Sequence, residues 1–504
     1  MDSAPALSMR DVVFRYLEQG KRNILDHVDL DIPAGRVTVL MGAGGCGKST
    51  LAAVAAGLYP ENGGFLAGGQ IRWFGTDLAA MDPQQRARQV GMLFQNPDLQ
   101  FCMDTLRGEM RFCMENLCLD AAAMDPRIEA AAAELGVQAL LDRPLHTLSG
   151  GEKQRAALAC LYVMECRCLL LDECFANLDR DAARELMEML RRMHRQGRTI
   201  IAIDHQPALW LDTADEFILL REGGRVAARG LHRGNLPQHR ALFAELGLFY
   251  PDPPPPYAPK AETGAAILRF EGVSIAQGEE QQKRGLFRRA AAPAPLLLDR
   301  AQAQFPKGAM TAVLGPSGCG KTTTFLAVLR RHAWAGRITL DGADLVGIRR
   351  RELYRQVGIV FQNPANQFIT QNVTEEVMAS LRVWQPGWPE EACRAEAERR
   401  LEEYGLSRYR RYSPYMLSQG QQRRLAVLSV LCGGQKLLLL DEPTYGQDAR
   451  SVHAIMAQLR GKVDAGGLSV IFITHDRALA AAWADKIYWL RGQKLEPARA
   501  GEVL

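Results

Sequence analysis

Two nine-residue stretches of this sequence have the residue types and the spacing of a phosphate-binding loop. "GAGGCGKST" begins at Gly42 and "GPSGCGKTT" begins at Gly315, and both fit the pattern G-x-x-x-x-G-K-[ST]. Glycines allow the backbone to curl until successive N–H groups point inward at phosphate oxygens. The lysine of such a loop reaches the β- and γ-phosphates, and the next residue holds Mg²⁺. The residues predicted to bind nucleotide here are Gly42, Ala43, Gly44, Gly45, Cys46, Gly47, Lys48, Ser49, Thr50, Gly315, Pro316, Ser317, Gly318, Cys319, Gly320, Lys321, Thr322 and Thr323.

Each loop stands between a segment typical of a buried strand and a segment that can form a helix. The apolar runs "RVTVLM" and "AMTAVL" precede the loops, and "KSTLAAVAAGL" and "KTTTFLAVLRR" begin at their lysines. Strand, glycine loop and helix are the context in which this pattern binds phosphate, because the helix N-terminus adds its dipole. A glycine-rich turn with a chance lysine is the alternative, and two copies in the same context argue against it.

Two pairs of adjacent acidic residues stand at the ends of further apolar runs. "CLLLDE" ends with Asp172 and Glu173, and "KLLLLDE" ends with Asp441 and Glu442. The first acid of such a pair can bind Mg²⁺ through its coordination shell, and the second can orient water against the γ-phosphate. Solvated surface charge is the alternative. Their repeated position behind a phosphate loop favours the catalytic interpretation.

The stretches "LSGGE" and "LSQGQ" have the pattern of helix starts. Ser149 and Ser418 are predicted N-caps, followed by small residues and then by long helices. Taken alone this is a helix cap, but exposed N–H groups and the helix dipole also suit a phosphate brought from elsewhere. The residues predicted for that contact are Ser149, Gly150, Gly151, Ser418, Gln419 and Gly420.

All of these motifs occur in the same order in two halves of the chain. The phosphate loops, "FQNPDLQF" and "FQNPANQF", the "LS" stretches, the acid pairs, and "IDH" and "ITH" recur at an offset of about 270 residues. One domain duplicated in tandem explains this repetition. We therefore predict a first domain at residues 1–249, a proline-rich, semi-rigid linker at 250–264 and a second domain at 265–504. Residues 278–295 form an insertion in the second copy, which we interpret as a solvated, mobile loop.

Within each half, apolar strand segments alternate with helical segments. "TIIAIDH" and "SVIFITH" are further candidates for buried strands. The alternation predicts an α/β fold of two tandem P-loop domains, each with a mostly parallel sheet that places ligands at the carboxyl ends of its strands. The stretch between the "FQNP" and "LS" motifs is richer in helix formers and predicts an inserted helical subdomain.

The composition of the sequence excludes several classes of protein. A chain of 504 residues is too long for one core, and 47% hydrophobic with 23% charged residues is ordinary for a soluble protein. A net charge of +4 gives no case for nucleic acid as a direct partner. The sequence has no run of about 18 apolar residues and no secretion signal at its N-terminus. Its 11 cysteines lack zinc or disulfide spacing, so we expect a reducing cytosol.

With these motifs in both halves, the sequence resembles the ATP-binding cassette (ABC) ATPases. The resemblance implies ATP and Mg²⁺ as ligands, catalytic bases, switch histidines that contact the γ-phosphate, and glutamines that touch Mg²⁺ and relay movement to a partner. It also implies adenine stacking by Tyr16 and D-loops at residues 176–179 and 445–448. The implied catalytic residues are Glu173, Glu442, His205, His475, Gln95 and Gln362. The implied Mg²⁺ ligands are Ser49, Gln95, Asp172, Thr322, Gln362 and Asp441.

Family members work as head-to-tail pairs, in which each nucleotide lies between the phosphate loop of one cassette and the "LSGGQ"-type motif of the other. The resemblance therefore implies intramolecular pairing of the two cassettes, so that one chain makes two whole sites. The nucleotide at Lys48 would face Ser418 and Gly420, and the nucleotide at Lys321 would face Ser149 and Gly151.

Two departures from the family pattern predict that the two sites are unequal. In the second half, Gln277 stands at the place of the stacking aromatic residue, and Phe287 of the insertion is a candidate substitute. The facing motifs differ as well, because Gln419 stands where the first copy has Gly150. We expect the second site to hold ATP more loosely and to discriminate less between ATP and GTP.

Two short motifs resemble the ATPases of energy-coupling factor (ECF) transporters. These are "FQNP" followed by an acidic or polar residue and "Q-F", and "TYGQD" at residues 444–448. Such importers take up vitamins or transition-metal ions such as cobalt and nickel. The resemblance implies a peripheral protein on the cytoplasmic face of the cell membrane, with a transmembrane coupling subunit and a substrate-capturing membrane subunit as partners.

Two alternative functions belong to other classes of ABC protein. A soluble tandem ABC ATPase acting on ribosomes or nucleic acid usually has a long, charged, helical connector, whereas this connector is short and proline-rich and the net charge of +4 is small. A nucleotide-driven clamp of the DNA-repair kind would need long coiled-coil heptads, and none interrupts either half of the sequence.

Overall fold

The computed structural model describes residues 5–20, 22–176, 178–252, 257, 264–278, 294–444 and 448–499. The chain divides into two compact units, Met1–Asp252 and Pro253–Leu504. Most of the linker predicted at 250–264 and of the insertion predicted at 278–295, including Phe287, lies outside the described residues. Asn177 and residues 445–447 of the predicted D-loops lie outside them as well.

The first unit contains ten strands and seven α-helices in its described residues. The strands are β1 Leu7–Arg15, β2 Leu25–Ile32, β3 Val37–Gly42, β4 Phe65–Trp73, β5 Thr76–Asp77, β6 Val90–Leu93, β7 Cys168–Asp172, β8 Thr199–Ile203, β9 Glu216–Leu220 and β10 Val226–Leu231. The helices are α1 Lys48–Ala55, α2 Pro83–Gln89, α3 Leu106–Asn116, α4 Ala121–Leu135, α5 Gly150–Met164, α6 Arg180–Arg195 and α7 Arg240–Leu246.

A six-stranded sheet with the order β10-β9-β3-β8-β7-β6 forms the centre of this unit. Its strands pair in parallel except for β10, which runs antiparallel to β9. All residues of β7 and β8 are buried, as expected for parallel strands covered on both faces. A separate antiparallel sheet, β2-β1-β4-β5, was not part of the prediction. In β2 buried and exposed residues roughly alternate, which indicates a sheet covered on one face.

Alternate residues of β7 show how the central sheet divides two hydrophobic cores. Leu169 and Leu171 pack in a core with residues of the helical insertion, among them Met110 of α3. Leu170 belongs to the core that contains Leu51 of the first helix. Because successive side chains of a strand point to opposite faces, an uninterrupted apolar run of this kind stabilises both layers.

The second unit repeats this architecture. Its strands are β11 Ala266–Ala276, β12 Leu296–Pro306, β13 Met310–Leu314, β14 Ala335–Leu340, β15 Ala343–Asp344, β16 Val357–Val360, β17 Leu437–Asp441, β18 Ser469–Thr474, β19 Lys486–Arg491 and β20 Lys494–Pro497. Its helices are α8 Lys321–Val328, α9 Arg350–Gln356, α10 Val373–Trp384, α11 Glu390–Glu403, α12 Gln419–Leu431, α13 Ala449–Asp464 and α14 Arg477–Trp483. The sheets have the orders β16-β17-β18-β13-β19-β20 and β12-β11-β14-β15.

These observations confirm the predicted fold class of two tandem α/β P-loop domains. In the first unit, helices α3, α4 and α5 lie between β6 and β7, the strand that carries the acids. In the second unit, α10, α11 and α12 lie between β16 and β17. They are the predicted helical subdomain. Within the described ranges, no helix is both long enough and apolar enough to span a membrane.

Candidate nucleotide-binding sites

Four parallel strands of each central sheet end at one edge, and the predicted site residues follow them there. In the first unit, β3 leads into the phosphate loop, β8 leads to His205, β7 ends on Asp172 and β6 precedes Gln95. The second unit repeats this arrangement with β13, β18, β17 and β16. Ligands of open α/β sheets bind outside the carboxyl ends of the strands, so the topology brings distant motifs to one place.

The last glycine of each loop is required by its backbone. Gly47 has φ 107° and Gly320 has φ 100°, and each is the N-cap of the helix that follows. A Cβ atom at Gly47 would lie 2.9 Å from the carbonyl oxygen of Ile24, and one at Gly320 would lie 2.7 Å from Leu297 Cβ. Only glycine tolerates both the left-handed conformation and this close approach. The loops therefore have the curled backbone that a phosphate cradle needs.

The loop lysines are buried and bonded to their own loops. Lys48 Nζ donates to the carbonyl oxygens of Gly42 at 2.8 Å and Ala43 at 3.0 Å. Lys321 Nζ donates in the same way to Gly315 at 2.8 Å and Pro316 at 2.9 Å. In the part of the chain that the structure describes, neither ammonium group lies within ion-pair distance of a carboxylate, although their charges act on the nearby acids. A buried charge of this kind is stabilised by an opposite charge, so both lysines suit a phosphate group.

The structure joins two predicted Mg²⁺ ligands in each half. Ser49 Oγ donates to Asp172 Oδ1 at 3.1 Å, and Thr322 Oγ1 donates to Asp441 Oδ2 at 2.8 Å. No group of three or more His, Cys, Asp or Glu side chains among the described residues is arranged to hold a metal alone. Mg²⁺ in nucleotide sites takes one or two protein oxygens together with phosphates and water. A hydroxyl beside a carboxylate fits that requirement.

The two acids of each pair have pKa values shifted in opposite directions. Burial raises the pKa of Asp172 to about 6, with the charge of Glu173 adding to the effect. Burial likewise raises the pKa of Asp441 to about 6. Burial alone would raise the pKa of Glu173 and Glu442, but the neighbouring histidines outweigh it and hold both below their usual range. Opposite shifts of this kind are typical of neighbouring carboxyls with different roles.

The glutamate that follows each acid-bearing strand has a strained backbone conformation. Glu173 has φ 48° and Glu442 has φ 45°, in the left-handed region that non-glycine residues rarely adopt. The amide N–H of Glu173 donates to the carbonyl oxygen of Ile203 at 2.9 Å, and that of Glu442 donates to Ile473 at 2.9 Å. Such strain costs about 1–3 kcal/mol and is concentrated at functional sites.

Each glutamate contacts the histidine predicted to act with it. His205 Nε2 lies 2.7 Å from Glu173 Oε1, and His475 Nδ1 lies 3.0 Å from Glu442 Oε2. The two halves therefore use different ring nitrogens. His205 Nδ1 is buried without a hydrogen-bond partner among the described residues. In the first half, Gln95 Nε2 also donates to Glu173 Oε2 at 2.9 Å.

The second glutamine of each "FQNP" motif holds its loop in place. Gln100 Oε1 accepts from the amide of Phe94 at 3.0 Å, and its Nε2 donates to Met92 at 2.8 Å. In the second half, Gln367 makes the same two bonds to Phe361 and Ile359, both at 2.9 Å. No role is predicted for these glutamines from the sequence, although their presence in both motifs is a pattern that could have indicated one.

Both "LS" serines cap a helix, as predicted. Ser149 Oγ accepts from the amide of Glu152 at 3.4 Å, and Glu152 Oε2 accepts from the amide of Ser149 at 2.7 Å. Ser418 and Gln421 form the same capping box, with the corresponding distances 3.4 Å and 3.0 Å. A capping box satisfies two backbone donors and fixes the helix start. Gly150 follows in the first copy and Gln419 in the second.

The position predicted for adenine stacking differs between the halves. Tyr16 is half exposed, and its hydroxyl lies 2.8 Å from Thr50 Oγ1 in the phosphate loop. Phe14 and Tyr59 contact its ring edge to face, at centroid distances of 5.5 Å and 5.9 Å. In the second half Gln277 is exposed, and its backbone N–H donates to the carbonyl oxygen of Pro295. The first half thus presents an aromatic face beside the loop, where the second presents an amide side chain.

The chain is similar in sequence to known proteins of one family. The sequence profile of the family described as "ABC transporter" matches residues 25–176 and 298–445. The chain is 31% identical over 515 residues to YkoD of Bacillus subtilis, an ATP-binding protein provisionally assigned to HMP/thiamine import, with 95% of this chain and 89% of that protein covered. It is 33% identical over 534 residues to an ABC transporter ATP-binding protein of Methanosarcina acetivorans, with 98% and 86% covered.

Among solved structures, the chain is similar to cbiO1 from Clostridium perfringens, described as part of the ABC transporter complex cbiONQ. The identity is 26% and the TM-score is 0.42, with 48% of this chain and 95% of that chain covered. The solved chain thus spans about one of the two halves described here.

Proposed function

The chain belongs to the ABC transporter family of ATP-binding proteins, and from that premise we propose that it is a Mg²⁺-dependent ATPase that energises an ECF-type membrane importer. The transported substrate is a vitamin or a transition-metal ion. The observation that carries the proposal is the duplication of a full set of side chains behind two phosphate loops: a buried lysine, a hydroxyl, two acids and a histidine. The similarity to a protein assigned to HMP/thiamine import, over 95% of this chain, supports the import role.

The residues present suit ATP and Mg²⁺ in both halves. The two phosphate loops would hold the phosphates, and the Ser49–Asp172 and Thr322–Asp441 pairs would hold the metal ion. When bound, ATP supplies the phosphoanhydride bond that is hydrolysed, and Mg²⁺ neutralises its phosphate charge. Lys48 and Lys321 would exchange their carbonyl partners for phosphate oxygens.

The glutamates of the chain would accept the proton of the attacking water, and the histidines would hold the glutamates in position. Glu173 and Glu442 are ionised near neutral pH, because their pKa values lie below the usual range, so each can accept a proton from water. His205 and His475 hold these carboxylates in place through the hydrogen bonds described above. In the first half Gln95 holds Glu173 from the other side. These contacts orient the base before any ligand binds, which lowers the cost of reorganisation during the reaction.

We further propose that the membrane partner binds where exposed apolar side chains follow the Gln95 and Gln362 segments. Leu99 is 77% exposed and Ile369 is 80% exposed. When the two motifs are aligned, Leu99 matches Asn366 and Ile369 matches Cys102, so the two side chains lie close to the same motif but not at the same position. A large exposed apolar side chain beside this motif in both halves favours a binding surface. The occupant we propose is an apolar or amphipathic helix of the transmembrane coupling subunit.

In each half, a buried glutamate fixes the backbone of the segment that follows the "FQNP" motif. Glu109 Oε2 accepts from the amides of Cys102 and Met103, each at 2.8 Å. Glu376 Oε2 accepts from the amides of Ile369 at 3.0 Å and Thr370 at 2.9 Å. A cavity of about 450 Å³ beside the second loop is lined by apolar and polar residues, among them Phe361, Phe368, Trp384, Arg331 and Glu376. The loops are therefore pre-organised, which reduces the entropy cost of binding a helix.

The experiment that tests the importer role is co-purification from detergent-solubilised membranes of the source cells. We expect helical membrane proteins of the coupling and substrate-capturing kinds, identified by mass spectrometry, in stoichiometric amounts. The Leu99→Asp plus Ile369→Asp variant should lose them and keep its ATPase activity, whereas Val346→Asp, at a side chain that is 65% exposed elsewhere, should retain them. Recovery on ribosomes, without membrane subunits, would favour a soluble tandem ATPase instead.

Pairing of the two cassettes within one chain is a separate proposal. It rests on the family resemblance and on the two capped helix starts, whose first amide groups suit a phosphate supplied by the other cassette. Ala43→Cys with Gln419→Cys, and Ser317→Cys with Gly150→Cys, should crosslink within one chain, more readily with trapped ATP. Crosslinks that form only between different chains would contradict intramolecular pairing.

A further inference from the structure

One arginine of the second unit, Arg423, is fully buried and donates hydrogen bonds to both the strand end and the loop of the site. Its Nη1 donates to the carbonyl oxygens of Phe361 at 3.2 Å and Asp441 at 2.9 Å. Its Nη2 donates to those of Gln362 at 2.6 Å and Glu442 at 3.1 Å. One planar guanidinium thus joins two consecutive residues of the glutamine segment to the two residues that carry the acids. Its exposure is 0%.

The first unit has a weaker link at the same position. Gln154, like Arg423, is the fifth residue of the helix that follows the "LS" serine. Its Nε2 donates to the carbonyl oxygen of Gln95 at 3.2 Å, and its Oε1 is buried without a partner among the described residues. Among the described residues, the side chain of Gln154 therefore hydrogen-bonds to the glutamine segment and not to the acid-bearing strand, whereas Arg423 bonds to both.

The chemistry of the arginine explains why this link is stiff. A guanidinium presents its N–H donors in a fixed, planar fork, so a shift of either backbone segment misaligns several bonds at once. Hydrogen bonds from a charged donor are stronger than neutral ones, and a buried charge that loses its acceptors is costly. The Phe361–Gln362 segment and the end of β17 are therefore linked by a contact that resists independent movement.

We infer that Arg423 is a positioning residue that makes the Gln362 segment and the Glu442 strand end move as one body, so that hydrolysis at the second site follows displacement of that segment. In the first half, where Gln154 replaces it, the two parts are joined less tightly by this helix. The inference rests on the proposed function, because it assigns a relay to the second ATP site. The roles proposed for the lysine, the acids and the histidine of the site do not depend on this coupling by Arg423.

The test compares Arg423→Gln, which installs the residue of the first half, with Arg423→Lys and with the control Arg424→Gln. Arg424 lies beside it on the same helix and donates instead to the carbonyl oxygen of Tyr404. We expect Arg423→Gln to lower kcat at least tenfold with KM for ATP changed less than twofold. Arg423→Lys, which keeps the charge and part of the bonding, should recover a substantial part of kcat. Arg424→Gln should leave both constants unchanged.

Amide hydrogen exchange on the full-length protein, without nucleotide, supplies a readout that does not depend on activity. In Arg423→Gln, peptides covering residues 357–363 and 437–443 should exchange faster, while residues 90–96 and 168–174 of the same chain should be unchanged. Normal kcat with unchanged exchange would overturn the inference, as would faster exchange throughout the second unit. If the wild-type protein did not hydrolyse ATP, the proposed function would fail, and the exchange data alone would decide whether Arg423 joins the two segments.

Discussion

Glu173 accepts a hydrogen bond on each of its carboxylate oxygens, and His205 Nε2 lies 2.7 Å from one of them. In the second half the relationship is kept between Glu442 and His475, but through the other ring nitrogen. The carboxylates are thus held by neighbouring side chains and by a strained backbone before a ligand arrives. This arrangement matches the requirements of a base in phosphoryl transfer, and it leads to the first prediction.

Replacing both glutamates with glutamine should abolish turnover and leave ATP binding intact. Glutamine keeps the size of the side chain but cannot accept a proton from water, so we expect the rate to fall by at least about 100-fold. The Glu173→Gln plus Glu442→Gln variant should therefore retain radiolabelled ATP through gel filtration. Near-normal hydrolysis by this variant would contradict the role assigned to both residues.

Removal of the hydroxyl beside each acid should weaken Mg²⁺ binding more than ATP binding. Thr322→Val and Ser49→Ala remove an oxygen ligand while keeping the carboxylates of Asp441 and Asp172. We expect the Mg²⁺ concentration for half-maximal activity to rise about tenfold, which corresponds to roughly 1.4 kcal/mol. Thr324→Val is the matched control, because Thr324 Oγ1 donates to the carbonyl of Gly320 within its own helix. An unchanged Mg²⁺ requirement would exclude these hydroxyls as ligands.

The ion pair in the second half predicts a pH-dependent contribution to stability. Burial alone would lower the pKa of His475, but its hydrogen bond to Glu442 and the charge of that residue raise it. Because the folded-state pKa lies above the unfolded value of about 6.5, this stabilisation is present below about pH 6.5 and is lost as pH rises through the folded pKa.

His475→Gln should therefore lower Tm in the absence of nucleotide more at pH 6 than at pH 9, by about 2–4 °C. Differential scanning calorimetry at both pH values is the measurement. His146→Gln, at an exposed position, should change Tm equally at both. A larger loss of Tm at pH 9 than at pH 6 would show that the sign is wrong.

Those parts of the site that depend on local patterns are readable from the sequence. A phosphate loop is encoded in nine consecutive residues, a capping box in four, and the acid pair by its place at the end of an apolar run. The duplication then separates these patterns from chance, because each occurs twice in the same order. The parallel sheet follows from the alternation of strand and helix segments, and the structure confirms it.

Other features depend on contacts between distant residues, and no local pattern encodes them. Asp204 precedes His205 and is buried, where its carboxylate accepts from Trp210 Nε1 at 2.8 Å and from the amide of Gln206 at 2.9 Å. Burial raises its pKa. The second half has Thr474 there, whose Oγ1 accepts from the amide of Asp476 at 3.0 Å. Only the comparison of "IDH" with "ITH" could have pointed to this difference.

The bonds of Arg423 were equally hidden, since its acceptors are backbone carbonyls about 18 to 62 residues away in the chain. The antiparallel sheets were missed for a related reason. In the first unit, β1 pairs with the nearby β2 but also with β4, which begins only at Phe65, and this long-range pairing identifies the sheet.

The last prediction is that the two ATP sites differ in affinity and in base preference. Tyr16 presents a half-exposed ring beside the first loop, supported by Phe14 and Tyr59, whereas Gln277 occupies the corresponding place in the second half. Stacking of a base on an aromatic ring contributes about 1–3 kcal/mol, or roughly ten- to a hundredfold in Kd. Binding of ATP and GTP should be measured in Lys321→Ala, which leaves the first site, and in Lys48→Ala, which leaves the second.

We expect tighter ATP binding and a stronger preference over GTP in Lys321→Ala than in Lys48→Ala. Adding Tyr16→Ala to Lys321→Ala should weaken ATP binding to about the level of the second site, because it removes the stacking surface and the hydroxyl contact to Thr50. Tyr16→Phe in the same background is the matched control, since it keeps the ring and should keep most of the affinity. Equal affinities and equal base preferences in the two lysine variants would refute the asymmetry, and loss of affinity in Tyr16→Phe alone would assign it to the hydroxyl rather than to stacking.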